Sequence, residues 1–499
     1  MTDPSYGGAV LINPGGPGGS GVNEVLTRGK LFQSIADMRN ASSEISNVAL
    51  DGSLKYFDLI GFDPRGVNNS TPHLHCFSDG MARQIWDAQA SAEGLFESSD
   101  HSFNLMRARA KALGQACSDD GTGIAQFMNT PVVVADMVAI VERHGEWREQ
   151  EARRLLKRAE DKSSDKTLTI LERTKWRRGE EVLQYWGFSY GTILGQTFAA
   201  LQPSRVSRLV LDGVVDIGDY YRGDWMKNLL LADQTVGKFY EYCHRAGPSN
   251  CAFYSGSSVQ DIKERLDHLL SAIKEDPVSI GTSGIYGPEI FTYSDVMLAI
   301  RESLYEPLDR FPQIATLLTA LANPVSSSFA EVIAEYKSRA DYRITHQSSG
   351  DGEFVPTGIF CSDAPNLTST NKSSLLAYAE SLAAQSKYVG ASWITHRLEC
   401  SGWMTRPRWD FNYRNAGGKT RHPILFVGNS LDPVTPVSNA HENAAMWEGS
   451  GVLEVRGVGH CTYAVESACM NRVIGRYFQT GEMPARGKVC EVDREPFEI

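Results

Sequence analysis

The pentapeptide Gly187-Phe188-Ser189-Tyr190-Gly191 constrains this chain more than any other feature of its sequence. It follows a short apolar segment, Leu183–Gly187, and precedes a helix-forming run that extends to Leu201 and stops at Pro203. A G-x-S-x-G between a strand and a helix demands a turn so tight that side chains flanking the serine would clash, which is why glycine stands on both sides. Such a turn lifts the serine hydroxyl to the edge of a sheet and aims the backbone N–H groups of the next helix at it. Without that strand and helix the same five residues would be a tight turn and nothing more.

The rest of the chain supplies a sheet for this turn to stand on. Ala9–Ile12, Tyr56–Phe62 and Val206–Leu211 read as short buried strands, and the strand pattern returns at Pro423–Val427 and Val452–Val455. Helical periodicity occupies Val132–Val141, Val437–Trp447 and Glu466–Phe478. Strand and helix in alternation predict an α/β protein with a mostly parallel sheet flanked by helices. Between Tyr220 and Cys400 the pattern is helical instead, at Trp225–His244, Val259–Ile273, Tyr293–Tyr305, Ile314–Leu321 and Leu375–Ala384. This predicts a core built from residues 1–219 and 401–499, split around an inserted, mainly helical cap at 220–400. Residues 64–130 read as a long polar excursion. Residues 145–181 hold 20 charged side chains, 11 basic and 9 acidic, which predicts a solvated helical insertion in the core with opposite charges paired along its faces.

Composition narrows the partners. The chain of 499 residues carries a net charge of −11, and a pI near 5.6, against the basic face that general nucleic-acid binding requires. No run of 18 apolar residues exists, so no membrane span is expected. Met1–Tyr6 has neither the basic start nor the apolar stretch of a secretory signal. The nine cysteines point the other way. Cys243 with Cys251 and Cys469 with Cys490 could close short loops, Cys76 with Cys117 and Cys361 with Cys400 longer ones, and Cys461 is left over. Paired cysteines, with Asn-x-Ser/Thr sequons at Asn40, Asn68, Asn69, Asn366 and Asn371, suit an oxidising compartment. Buried thiols in a cytoplasmic protein would account for the same counts. The localisation therefore stays open between secreted and cytoplasmic.

A serine nucleophile needs a base and a carboxylate to orient it, which in this architecture follow in the order acid, then histidine. Asp432 lies in the loop after the strand that ends Val427-Gly428, and His460 lies in a glycine-bounded loop after the next strand. Together with Ser189 they form the expected catalytic triad. His441 falls within a predicted helix, and Asp363 and Asp410 are weaker rivals for the acid. Asn13-Pro14-Gly15-Gly16-Pro17-Gly18-Gly19-Ser20-Gly21 follows the first strand and offers a backbone N–H from Gly15 or Gly16 to pair with that of Tyr190 as an oxyanion hole, Gly16 being the expected donor. Gly16, Gly18 and Gly21 also match a dinucleotide-binding fingerprint. Two prolines break that turn, and the serine elbow explains the same glycines better. Asp63 and Arg65, in Gly61-Phe62-Asp63-Pro64-Arg65-Gly66, read as a structural ion pair bridging loops behind the oxyanion turn. No metal-binding or phosphate-binding motif is present, so neither metal nor cofactor is expected. Cys461, beside the histidine, would make the site sensitive to thiol reagents if exposed.

Taken in order, NPGGPGGSG, GFDPRG, GFSYGT, NSLDPVTP and GVGHC resemble the tripeptidyl/prolyl aminopeptidase-like α/β-hydrolases over nearly the whole chain. The segment from Cys400-Ser401-Gly402-Trp403 to Cys490 is similar to that family's C-terminal part. The resemblance implies the α/β-hydrolase fold with a helical cap over the site. It implies a serine peptidase acting on free N-termini, with Ser189, Asp432 and His460 as its triad. Secretion with disulfides, frequent in the family, favours the four cysteine pairs. Two departures stand out: the glycine turn comes within 15 residues of Met1, where a leading portion and signal are usual, and the charged segment 145–181 is added. A peptidase of this kind needs an acidic group in the cap for the substrate ammonium, for which Glu289, Glu302, Glu306 and Asp363 are candidates. The same triad would equally serve an esterase or lactonase acting on a small metabolite. A binding protein without activity is disfavoured by the intact triad.

Overall fold

The computed structural model describes residues 2–38, 54–158, 164–281, 288–324, 329–333, 335–336 and 354–498. Seven strands form one sheet in the order β2 (Tyr56–Gly61), β1 (Tyr6–Asn13), β3 (Leu183–Phe188), β4 (Val206–Asp212), β7 (Leu425–Leu431), β8 (Gly451–Val458) and β9 (Val489–Glu491). Every neighbouring pair is parallel. The near-continuous apolar runs that mark these strands are what a sheet covered on both faces requires, with successive side chains pointing to opposite layers. Val10, Ile12, Trp186, Phe188, Val210, Leu425 and Val427 face one layer with Phe32, Ile474 and Phe478. Leu11, Tyr185, Leu209, Leu211 and Phe426 face the other with Val133, Met137, Leu194 and Phe198. This is the α/β-hydrolase fold, with β3 an inner strand beside the central β4.

Between β4 and β7 the regular structure of the described residues is helical apart from a small antiparallel pair, β5 (Val278–Ile280) and β6 (Glu289–Phe291). The expected helix Trp225–His244 forms over Ala232–Asn250, with a break at Gly247 (φ 72°) before Pro248. The polar excursion holds two helices that periodicity does not reveal, Gly80–Glu93 and Ser102–Ser118. The first has Arg83 as its sole buried residue, so it carries little apolar stripe. The second crosses the helix Thr395–Gly402 at two glycines: a Cβ on Gly114 would lie 1.9 Å from the Gly402 carbonyl oxygen. These helices thereby share one apolar core with the segment between β4 and β7.

All four cysteine pairs are present as disulfides, and Cys461 is a free, buried thiol. In the charged segment the helix Thr130–Arg158 carries the pairs Arg153–Glu149 and Arg154–Glu151 on its exposed side. Arg148 reaches Glu181, just before β3, at 2.9 Å. The sequon Asn40 lies outside the described residues. No described helix is long and apolar enough to cross a membrane.

Candidate active site

At the C-terminal end of β3 the backbone turns at Ser189 with φ 53° and ψ −122°, a left-handed conformation unfavourable for a non-glycine residue. The turn is held from three directions. The Ser189 N–H donates to the Asp212 carbonyl at the end of β4 (2.9 Å), and the Thr192 N–H and hydroxyl donate to the Ser189 carbonyl (2.8 and 2.6 Å). The flanking glycines are required as expected: a Cβ on Gly187 would lie 2.5 Å from the Gly191 carbonyl oxygen, and one on Gly191 2.8 Å from the Asn13 carbonyl oxygen. Ser189 remains partly exposed, and Tyr190 opens the following helix with a free N–H end.

His460 and Asp432 meet at the same edge of the sheet. His460 Nδ1 lies 3.0 Å from Asp432 Oδ1 and 3.1 Å from Oδ2. The carboxylate is fully buried and richly supplied with donors: the N–H groups of Val434 (2.9 Å), Thr435 (2.7 Å) and Cys461 (2.9 Å), and the Thr435 hydroxyl (2.8 Å). Desolvation acts to raise its pKa, but the His460 imidazole and these donors outweigh it and hold the carboxyl below its ordinary value. His460 is fixed from the other side by Tyr305, whose carbonyl accepts the His460 N–H (2.9 Å) and whose ring stands edge-on to the imidazole at 5.2 Å. No hydrogen bond joins the Ser189 hydroxyl to the imidazole. In resting hydrolases this bond is often long and tightens only with substrate bound.

The glycine turn lies directly against the serine elbow. A Cβ on Gly15 would lie 2.3 Å from the Phe188 carbonyl oxygen and 3.0 Å from the Tyr190 nitrogen. Gly15 and Gly16 take φ of 91° and 106°, accessible to glycine alone without strain. The Gly15 N–H is committed to the Asn13 side chain at 3.0 Å. This leaves Gly16, the expected donor, as the one of the two whose N–H is not taken up by Asn13.

Asp63 and Arg65 do not pair with each other, contrary to the expectation of an ion pair between them. Asp63 accepts from the Ser20 hydroxyl (2.6 Å) and the Asn68 side chain (2.9 Å), which anchors the far end of the glycine turn. Arg65 forms a two-pronged pair with Asp136 on the helix Thr130–Arg158 (2.6 and 2.8 Å). The fork of a guanidinium fits a carboxylate best when both prongs engage, and Asp136 offers that geometry. Cys461 is fully buried, and burial together with the Asp212 and Asp432 carboxylates pushes its thiol well above the usual range, so the condition for reagent sensitivity is not met. Asp432, His460 and Cys461 bring three ligand-type atoms within 4.8 Å of one another. The sulfur, however, lies 3.8 and 3.7 Å from the two ring nitrogens, over the ring rather than along a nitrogen lone pair, and the carboxylate is already saturated. This does not fit a metal centre.

The rivals are placed elsewhere. Asp410 is exposed, and His441, on the helix Val437–Ala444, lies 3.9 Å from Glu454. Of the acidic candidates in the inserted segment, Glu302 faces Arg301 (2.9 Å) and Arg310 (4.0 Å), and Glu306 faces Arg28 (2.5 Å) and Arg310 (3.4 Å). The Glu289 side chain lies outside the described residues. Asp363 accepts from the Thr130 N–H (2.9 Å) and hydroxyl (2.5 Å) and from the Tyr220 hydroxyl (2.8 Å). Sequence reasoning missed Glu399. It is partly exposed, lines a cavity of about 250 Å³ together with Trp86, Met106, Phe354 and Leu398, and among the described residues accepts one hydrogen bond, from the Thr357 hydroxyl at 2.6 Å. Burial pushes its carboxyl up to about 7. Nothing beside Glu399 in the sequence distinguishes it from a surface carboxylate. Its hydrogen-bond partner and most of the cavity's apolar lining come from residues 40 to over 300 positions away.

Comparison with known proteins agrees with this architecture. Residues 386–490 match the TAP-like protein family. The chain is 22% identical over 498 residues to a tripeptidyl aminopeptidase of Streptomyces lividans, covering 98% of this chain and 78% of that protein. It is 23% identical over 492 residues to the serine protease Hip1 of Mycobacterium tuberculosis, covering 97% and 81%. A stretch of 72 residues is 46% identical to carboxylesterase B of Mycobacterium tuberculosis, 14% of this chain and 11% of that one. With its parallel sheet, its serine elbow at the end of β3 and a C-terminal part that matches the TAP-like family, the chain is a hydrolase of the α/β-hydrolase type.

Proposed function

We propose that the protein is a serine exopeptidase that releases short or proline-containing units from peptide N-termini, with Ser189 as nucleophile, His460 as base and Asp432 as the carboxylate that orients it. The observation that carries this reading is the buried Asp432–His460 pair at the same sheet edge as the strained Ser189 turn. Asp432 holds the proton on Nδ1, so Nε2 is left to accept the Ser189 proton as Oγ attacks the scissile carbonyl. The N–H groups of Gly16 and Tyr190 receive the oxyanion, and His460 returns the proton to the leaving amine. Water then resolves the acyl-enzyme through the same base.

An exopeptidase must also hold a free ammonium. Glu302 and Glu306 are already neutralised by arginines, whereas among the described residues Glu399 has a single hydroxyl partner, and Arg109, which lines the same cavity, is paired with Glu93. It is joined to the site through the helix Val355–Asp363: Thr357 donates to Glu399, and the adjacent Pro356 lies 3.2 Å from where a Cβ of Gly18 would sit in the glycine turn. Glu399 is therefore our choice for the ammonium anchor.

The test is hydrolysis of peptide anilides with free N-termini, the same peptides blocked, and simple aryl esters, by the protein and by Ser189→Ala. Turnover of free peptides alone, lost in the variant, is the expected result. Ester turnover without peptide cleavage overturns it in favour of a small-molecule esterase, a reading that the 72-residue likeness to a carboxylesterase favours.

A further inference from the structure

One helix of the inserted segment, Val355–Asp363, touches the glycine turn and is linked by hydrogen bonds to Tyr190, the two segments that the reading above assigns to the oxyanion. Its first turn lies on the glycine turn, through Pro356 and Gly18. Its last residue reaches the serine elbow. The Tyr190 hydroxyl lies 2.6 Å from Thr130 Oγ1, which lies 2.5 Å from Asp363 Oδ2. An ionised carboxylate only accepts hydrogen bonds, and a threonine hydroxyl has one proton to donate. Thr130 must therefore donate to Asp363 and accept from Tyr190, so the order of donors along the chain is set by the charge on Asp363. The Tyr220 hydroxyl donates to the same carboxylate oxygen at 2.8 Å, and its ring packs on the Tyr190 ring at 5.8 Å. The Thr130 N–H, at the N-terminus of the long helix Thr130–Arg158, occupies the other oxygen at 2.9 Å.

We propose that Asp363 is a positioning residue: through Thr130 and Tyr220 it fixes the Tyr190 side chain, and with it the direction of the Tyr190 N–H at the head of the elbow helix. The inference rests on Ser189 being the nucleophile. Because the carboxylate sits at the end of an inserted helix, it also makes the oxyanion geometry depend on how that helix is seated on the core.

The charge on Asp363 is itself adjustable. Desolvation raises its carboxyl to about 7 against the pull of Thr130, Tyr220 and, more weakly, Arg406, whose guanidinium is bonded to the Cys361 and Ala364 carbonyls. The tyrosines that face it, Tyr190, Tyr220 and Tyr221, are pushed well above their usual range by burial and stay neutral. Protonating Asp363 puts a donor where Thr130 and Tyr220 both need an acceptor, and the order of donors is lost.

The experiment compares Asp363→Asn and Thr130→Val with the unaltered protein on a free-N-terminus peptide anilide and an aryl ester, from pH 5 to 9, with rates referred to titrated active sites. The expected result is a fall in kcat of about tenfold for both substrates, below the 10²–10³ that removing an oxyanion donor costs, with KM within about twofold. One acid limb of the kcat profile disappears in Asp363→Asn, and the double variant is no worse than the poorer single one. A lowered melting temperature with unchanged kcat and pH profile overturns the proposal, because that is what a purely structural contact would give. Should Asp363→Asn fail to fold, Thr130→Val decides by the same criteria. Activity retained in Ser189→Ala would overturn the nucleophile assignment instead, and so is told apart from failure of the Asp363 role.

Discussion

Two groups of desolvated carboxylates behave in opposite ways. Asp432, in the loop after β7, collects four neutral donors and the imidazole, and is held below its ordinary pKa. Asp363 and Glu399, both on helices between β4 and β7, collect three donors and one, and are pushed up to about 7. Burial alone disfavours the anion in each case, so the number of donors and the presence of a cationic partner decide the sign. The core site is built to stay an anion at any working pH. The inserted segment keeps carboxylates whose charge depends on pH or on a bound cation.

Removing the charge from the core site should have the largest effect. Asp432→Asn should lower kcat by about 10⁴ through loss of the correct imidazole tautomer, measured in steady state on the peptide anilide. Near-normal turnover would break the contrast outright. Glu399→Gln should lower kcat/KM for free-N-terminus peptides by about 10–100-fold, the order of one lost charge-assisted contact. The loss should sit mainly in KM and leave aryl ester turnover unchanged. An equal loss on both substrates would sink the anchor role.

The two groups also predict opposite pH dependence of stability. Asp212, fully buried at the end of β4, joins the raised group at about 7, its desolvation opposed by the Thr462 N–H and hydroxyl. For Asp212, Asp363 and Glu399 the folded chain binds more protons than the unfolded one between about pH 4 and 7, so their contribution to stability falls as pH rises through that window. Asp432 works the other way: its contribution is present above about pH 4 and is lost as pH falls through its lowered folded value. Denaturant titrations should therefore show Asp212→Asn gaining on the unaltered protein between pH 5 and pH 8, and a shift against the variant would contradict the assignment. The smallest effect concerns Cys461. Its buried thiol should not react with a disulfide reagent in the native protein and should count as one thiol after denaturation without reductant. Fast native reaction would show that the His460 loop opens.

The core site was legible because its signals are local. A glycine on each side of Ser189, a strand before it, and Asp432 and His460 just after two later strands are all visible in short windows, and the continuous apolar runs mark where those strands go. The cysteine pairs were legible as possibilities, since spacing marks the loops that a disulfide can close. The helices Gly80–Glu93 and Ser102–Ser118 were not, because one buries almost nothing along its own stripe and the other packs through Gly114 and Gly402, where the signal is a close backbone approach rather than an apolar period. Asp63 and Arg65 were read as a pair because they are two residues apart, but each found a better partner on another element.

The sequence by itself determined the α/β class, the serine elbow and the placing of Asp432 and His460 in loops after later strands, because a strained turn and a buried parallel sheet each require particular residue types at fixed short spacing. Only the tertiary structure decided which carboxylates are neutralised by arginine, which are left with a single hydroxyl, and which hold the elbow helix. Those outcomes depend on desolvation and on donors that arrive from distant parts of the chain: Thr130 and Asp363 are separated by 233 residues yet meet at 2.5 Å. No periodicity encodes such a meeting, and the charge state of the site depends on it.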